Sequence, residues 1–218
     1  MFPKTMRLIS IFLTAFVFSA PILSAQNVQA IDLPSPQTSG GMPLMDALKN
    51  RKTEREFSNR KLSPQVLSNL LWAAYGINRE DGRRTAPSSV NWQTIDIYVA
   101  LPEGLYLYDA QENELELVLA EDIRALTGTQ DYVGTAALNL VYVAELTRIP
   151  RDMDDEQKLR VSTNDVGFIG QNVYLFCASE GLATVVRGLV DREALGVKMG
   201  LKPTQRILLG HSVGYPKQ

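Results

Sequence analysis

The sequence predicts an α+β fold in which helices flank a central, mainly antiparallel sheet. Three observations carry that reading. Ile95–Leu101 alternates as a strand and is separated by only Pro102 and Glu103 from a second strand-like run at Gly104–Tyr108, the spacing of a hairpin. Ala137–Ala144 is an almost unbroken apolar run, as expected of a central strand. Helical and strand patterns otherwise follow one another without the regular βαβ alternation of a parallel sheet. At 218 residues, 45% of them hydrophobic, the chain is long enough to bury one core.

Residues 1–30 read as a secretory signal. Lys4 and Arg7 form the positive start, Leu8–Ala20 the apolar stretch, and small residues follow. Cleavage is expected after Ala25 or Ala30, the latter fitting the small-x-small rule better. The apolar run is shorter than the ~20 residues that span a bilayer. The expectation is an exported protein, periplasmic or secreted, with no stable membrane insertion once the signal is removed. Residues 31–43 carry Pro34, Pro36, Gly40, Gly41 and Pro43 and predict an extended, exposed lead. Residues 44–218 form one domain.

The domain opens with a short helical face at Leu44–Asn50. Ser63 and Pro64 are an N-cap and first-turn proline for a helix with Val66, Leu67, Leu70, Leu71 and Ala74 inward and Gly76 at its end. Glu80–Arg84 is a charged turn. After the hairpin, Leu115–Leu119 extends the meander and Asp122–Leu126 makes a short helix. Residues 148–158 are polar and read as a mobile loop. A long helix runs from Asp165 to a glycine cap at Gly181, followed by a strand at Leu182–Val186, a short helix near Arg192–Leu195 and a last strand at Arg206–Gly210. There is neither an internal repeat nor a linker.

Charge and rare residues narrow the chemistry. With 22 basic and 24 acidic residues, the chain lacks the basic footprint of a nucleic-acid binder. One cysteine, Cys177 in an apolar helical stretch, allows no intrachain disulfide and reads as a buried small hydrophobe. One histidine, His211, excludes any two-histidine metal site, and no Gly-x-Ser-x-Gly elbow supports a hydrolase. Gly-x-Gly-x-x-Gly and Walker-type signatures are absent.

Three segments remain. Arg51, Lys52, Thr53 and Arg55 crowd three cations and a hydroxyl at an element boundary, a donor set suited to a phosphate. The bland alternative is a solvated helix end in which Glu54 and Glu56 pair with these cations. Pro87, Ser88, Ser89, Asn91 and Gln93 place hydroxyls and amides just before a buried strand. They suit a flat ring rimmed with heteroatoms, or are simply turn formers. Val186, Arg187 and Gly188 end an apolar run between two glycines. There Arg187 reads as a solvent-exposed rim or as a guide for an anionic substrate.

Taken together these segments resemble the nitroreductase family of flavoproteins, from about Leu44 to Pro216, and most closely its SagB-type, thiazoline-oxidase-like dehydrogenase branch. Beyond Arg51–Phe57 and Arg84–Gln93, the likeness rests on Leu70–Asn78, Gly170-Gln171-Asn172, Gly181–Val185 and Val213-Gly214-Tyr215-Pro216. The resemblance implies FMN bound at the interface of an interlaced homodimer and ping-pong electron or hydride transfer through flavin N5 to or from a small organic substrate. It implies that Arg51, Lys52, Thr53 and Arg55 hold the phosphate and ribityl chain. Pro87, Ser88, Ser89 and Asn91 would meet the ring, partly from the other subunit, and Val186, Arg187 and Gly188 would lie near the flavin N5 edge. No catalytic side chain and no metal is then required. Two departures stand out: many relatives have an acid where this chain has Arg187, and many have a basic residue near the C-terminus, for which Arg206 and Lys217 are the candidates. Export also leaves the donor open between NAD(P)H, a quinol and a partner protein. The alternative is a non-catalytic flavin-binding or structural dimer of the same fold.

Overall fold

A computed structural model describes residues 30–150 and 152–217, so the signal-peptide reading lies outside the described residues except for Ala30. Among the described residues the strands are β1 (Ile31–Asp32), β2 (Ile95–Leu101), β3 (Gly104–Asp109), β4 (Glu114–Leu119), β5 (Leu138–Glu145), β6 (Ala183–Arg187) and β7 (Gln205–Gly214). They form one sheet in the order β1-β4-β3-β2-β5-β7-β6, antiparallel at every pairing. The helices are α1 (Leu44–Asn50), α2 (Pro64–Tyr75), α3 (Asp155–Glu180) and α4 (Arg192–Met199). This is the architecture that the hairpin and the apolar run at 137–144 predict.

Strand alternation divides the core. Leu138, Leu140, Tyr142 and Ala144 of β5 pack with Leu67, Leu70, Leu71 and Tyr75 of α2 and with Val166, Ile169, Val173 and Cys177 of α3. Val141 and Val143, pointing the other way, pack with Leu195 and Met199 of α4. Helix ends follow local chemistry. Ser63 Oγ accepts the Val66 N–H at 3.3 Å, and Gly181 closes α3 at φ 67°, a left-handed turn that glycine enters without a Cβ clash. Gly76 serves differently, since a Cβ there would stand 2.5 Å from Trp72.

Four boundaries depart from the sequence reading. Residues 31–43 are not simply an exposed lead: Ile31 and Asp32 pair with Leu115 and Glu114, and Leu33 is buried. The polar stretch 148–158 is only partly loop, because α3 starts at Asp155. Asp154 Oδ1 accepts the Gln157 N–H at 2.7 Å while Gln157 Oε1 accepts the Asp154 N–H at 3.0 Å, a reciprocal cap that starts the helix ten residues before Asp165. Asp122–Leu126 gives only a 3-10 turn, at Arg124–Thr127. β7 continues through His211 and Ser212 to Gly214, because both polar side chains find buried partners.

Candidate functional site

Two of the three segments singled out by the sequence meet in the fold. The chain leaves α1 at Arg51, whose N–H donates to Ala47 O at 2.9 Å, and then follows β6: Glu54 N–H donates to Thr184 O at 3.0 Å. Farther on, Phe57 bridges Pro216. Tyr174 of α3 fastens this junction. Its phenol oxygen accepts the Val186 N–H at 3.1 Å and shares a hydrogen bond with Thr53 Oγ1 at 3.1 Å. The Arg51 guanidinium lies 5.3 Å from the Tyr174 ring centroid, within cation–π range. Arg51–Arg55 and Val186–Gly188 therefore belong to one neighbourhood.

Positive charge is in surplus there. A cavity of about 650 Å³ is lined by Lys49, Arg51 and Lys52 against a single acid, Glu54, with Gly181 and Thr184 completing the wall. Lys52 Nζ stands 2.8 Å from Glu54, so the pairing foreseen as the bland alternative does exist. With Lys52 68% exposed, that pair is screened by water and contributes little. Arg55 and Thr53 are exposed. Of the two C-terminal candidates, Lys217 lies beside the segment, its N–H donating to Glu56 O at 3.1 Å. Arg206 instead sits 3.9 Å from Asp155 at the start of α3. At the helical rise that is about 28 Å of helix away from Tyr174.

The Pro87–Gln93 segment docks elsewhere on α3. Ser89 N–H donates to Asp165 Oδ1 at 3.0 Å, and Ser89 Oγ–H to the same oxygen at 3.1 Å. Asp165 precedes Tyr174 by nine residues, so within one chain the loop and the cations dock about 14 Å apart along the helix. Arg84 holds the other end. It donates to Gln93 Oε1 at 2.7 Å and to Tyr75 O at 2.9 Å, and stacks 4.5 Å from the Tyr75 ring centroid. Between these anchors Val90, Asn91 and Gln93 adopt left-handed φ of 50°, 58° and 48°. For a β-branched valine this conformation costs on the order of 1–3 kcal/mol. The tip, Val90 and Asn91, faces solvent.

Arg187 is not the solvent-exposed rim that the sequence suggests. It is 4% exposed and donates to Thr127 O at 2.6 Å, Asn139 Oδ1 at 2.8 Å and Ser212 Oγ at 3.2 Å. All are neutral acceptors, and burial pulls its pKa down to about 10. Room for the guanidinium comes from two glycines: a Cβ would lie 2.1 Å from it at Gly128 and 2.9 Å at Gly210. His211, on the opposite face of β7, bridges Tyr142 Oη at 3.0 Å and Thr184 Oγ1 at 2.9 Å. Burial, helped by the Arg187 charge, lowers its pKa to about 3, so the ring is neutral. Burial pushes the Cys177 thiol up to about 12, which leaves it unreactive. Burial also raises the Asp165 carboxyl above its usual range, against the two Ser89 donors that lower it.

Sequence reasoning missed Tyr174, Asp165 and Arg84. Tyr174 lies within an apolar run and looks like core packing. Asp165 looks like a helix start, although the Asp154–Gln157 spacing marked the true one. Arg84 adjoins the second segment but was taken as part of a charged turn.

Comparison with known proteins places this geometry in context. A family model described as the nitroreductase family matches residues 48–215. A Methanocaldococcus jannaschii protein named as a nitroreductase is 33% identical over 155 residues, covering 66% of this chain and 78% of the relative. A solved structure from Ralstonia eutropha, also named as a nitroreductase, superposes with a TM-score of 0.83 at 44% identity, covering 88% of this chain and 91% of that one. The NADPH:FMN oxidoreductase of Vibrio harveyi, solved with NAD+, shares the fold at a TM-score of 0.60 and 21% identity, covering 80% and 69%.

Proposed function

Because the chain belongs to the nitroreductase family, we propose that it is an FMN-dependent oxidoreductase acting on a small organic substrate. The observation that carries this reading is the cation-rich wall of Lys49, Arg51 and Lys52, fixed to the end of β6 through the neighbouring Thr53 and Tyr174. The donor set fits the group. Arg51, Lys52, Thr53 and Arg55 offer guanidinium, ammonium and hydroxyl donors for a phosphate dianion, and Glu54, the acid on the cavity wall, is engaged in an exchangeable surface pair. Ser88, Ser89 and Asn91 offer uncharged donors and acceptors for a ring, with Pro87 as an apolar flank. Val186 N–H already serves Tyr174, leaving the backbone around Arg187 and Gly188 to border the ring edge.

When bound, the flavin supplies the electron and hydride chemistry, while the protein binds, orients and tunes it. The separation of the ring loop from the cations along one α3 supports an interlaced homodimer in which the two come from different copies. Exposed Leu44, Met45 and Leu48 on α1 and Phe168 on α3 leave apolar surface for such a contact. The order of the sequence motifs supports the SagB-type branch, and the character of residues 1–30 supports export. An extracytoplasmic setting favours a quinol or a partner protein over NAD(P)H as donor.

The test is the visible spectrum of purified mature protein, followed by anaerobic titration with NADH, NADPH and a soluble quinol. Flavin bands that bleach with one donor and return with an acceptor support the reading. Colour that no donor bleaches points to a non-catalytic flavin binder. A protein that stays colourless after incubation with FMN overturns the assignment.

A further inference from the structure

The loop from Pro87 to Gln93 has a shape that its own sequence does not favour. Three non-glycine residues in left-handed conformation, one of them β-branched, relax unless hydrogen bonds hold them, and the bonds to side chains within the loop, from Gln93 to Ser88 Oγ and Asn91 Oδ1, do not reach Ser89. Arg84 and Arg148 secure the Gln93 end, through its side-chain oxygen and its carbonyl. At the other end, among the described residues, the charged group hydrogen-bonded to the loop is Asp165, fully buried in the middle of α3. An aspartate facing inward from a helix interior is costly unless it is hydrogen-bonded. Here both of its recorded donors, N–H and Oγ–H, come from Ser89.

Hydrogen bonds at the Gln93 end, to Ser88 Oγ, Gly82 O and Arg148, restrain the far side of the loop, and Asp165 holds the Ser89 side. Tyr75 faces the carboxylate from α2, beside Ser88, and its phenol oxygen is buried without a hydrogen-bond partner. Arg84 stacks on the Tyr75 ring and is committed to Gln93 and the Tyr75 carbonyl. One turn earlier on α3, Ser162 is occupied by Thr94 at 3.2 Å. Among the described residues no cation lies within ion-pair distance of Asp165. The carboxylate is thus spent on holding the loop.

We propose that Asp165 is a positioning residue: by gripping Ser89 it keeps the 87–93 loop in the left-handed shape that presents hydroxyls and amides to the isoalloxazine ring. This rests on the flavin reading above. Among the described residues Asp165 accepts hydrogen bonds from the loop alone, so its effect is on recognition of the ring and leaves recognition of the phosphate intact.

Two measurements decide it. In the flavin-free protein, hydrogen exchange of the Ser89 amide is compared between wild type and Asp165→Asn, which keeps size but removes the charge. Charge-assisted hydrogen bonds are roughly twice as strong as neutral ones, so protection should fall about tenfold. Equilibrium titration with FMN and with riboflavin, which lacks the phosphate, should show both dissociation constants rising by the same factor, so that their ratio stays at the wild-type value. Ser89→Ala, which deletes one of the two contacts and spares α3, should show the same pattern with a smaller rise. Arg55→Ala should weaken FMN and leave riboflavin unaffected. Unchanged Ser89 protection in Asp165→Asn overturns the proposal, as does an FMN-to-riboflavin ratio that moves. If wild type binds neither flavin, the flavin reading falls, while the exchange measurement still reports whether Asp165 holds the loop.

Discussion

Single residues here divide into those that meet solvent and those whose charge is locked inside. Arg51 and Arg55 are of the first kind. Replacing either with alanine should remove charge-assisted hydrogen bonds to a phosphate worth ~1.5–3 kcal/mol. FMN titration should then show a roughly tenfold to hundredfold loss, against a smaller one for Lys52→Ala, whose ammonium already has Glu54. Arg187 is of the second kind. Gly128→Ala would push a methyl group into its guanidinium. Overpacking of this sort costs about 1–3 kcal/mol, readable in denaturant unfolding. In an Arg187→Met background the same glycine change should cost less than in the wild type, because the clash is between those two groups. The residue types were legible in the sequence; their burial was not. An arginine at the end of an apolar strand looks like a rim until Asn139, Ser212 and the Thr127 carbonyl are seen to receive it.

At the scale of elements, α3 organises everything functional, since Asp165 and Tyr174 both project from it. Its true start is set by the Asp154–Gln157 cap, and Asp154→Ala should cost ~1 kcal/mol and expose amides near 155–158 to faster exchange. Tyr174→Phe should loosen the cation segment by removing the contacts to Thr53 and Val186, with the Glu54–Thr184 hydrogen bond left to tie it to β6. Weakened FMN binding at nearly unchanged unfolding stability is the expected result. Elements with a clean periodic signal, such as α2, the β2–β3 hairpin and β5, could be read directly from the residues. Those that depend on distant partners could not. β1 exists because β4 offers an edge, and the last four residues of β7 are strand because Thr184 and Asn139 satisfy His211 and Ser212.

The whole molecule carries its one imidazole neutral, with a pKa of about 3 when folded against 6.5 as the ordinary value. Since the unfolded chain takes up this proton below pH 6.5 and the folded chain does not, His211 favours unfolding progressively as acidity rises from about 6.5 to about 3. Folding stability measured by urea at pH 7.5 and pH 5 should therefore drop, and His211→Gln should flatten that drop. The candidate site as a whole was legible as three separate patches of suitable chemistry. Their spatial relation was not, because it depends on where each patch falls along α3. One architectural detail reaches further. The final strand of the sheet, β6, has a free flank, and the stretch holding Arg51–Arg55 lies against it through the Glu54–Thr184 hydrogen bond. On the proposed flavin reading the same ribbon is both the anion clamp and a cover for the edge of the sheet. Without an anion to offset them, the cations of that segment should weaken its hold on the edge of β6, whose unpaired backbone groups can template association. Preparations stripped of coenzyme should turn cloudy sooner than loaded ones, which makes early flavin loading a safeguard against clumping.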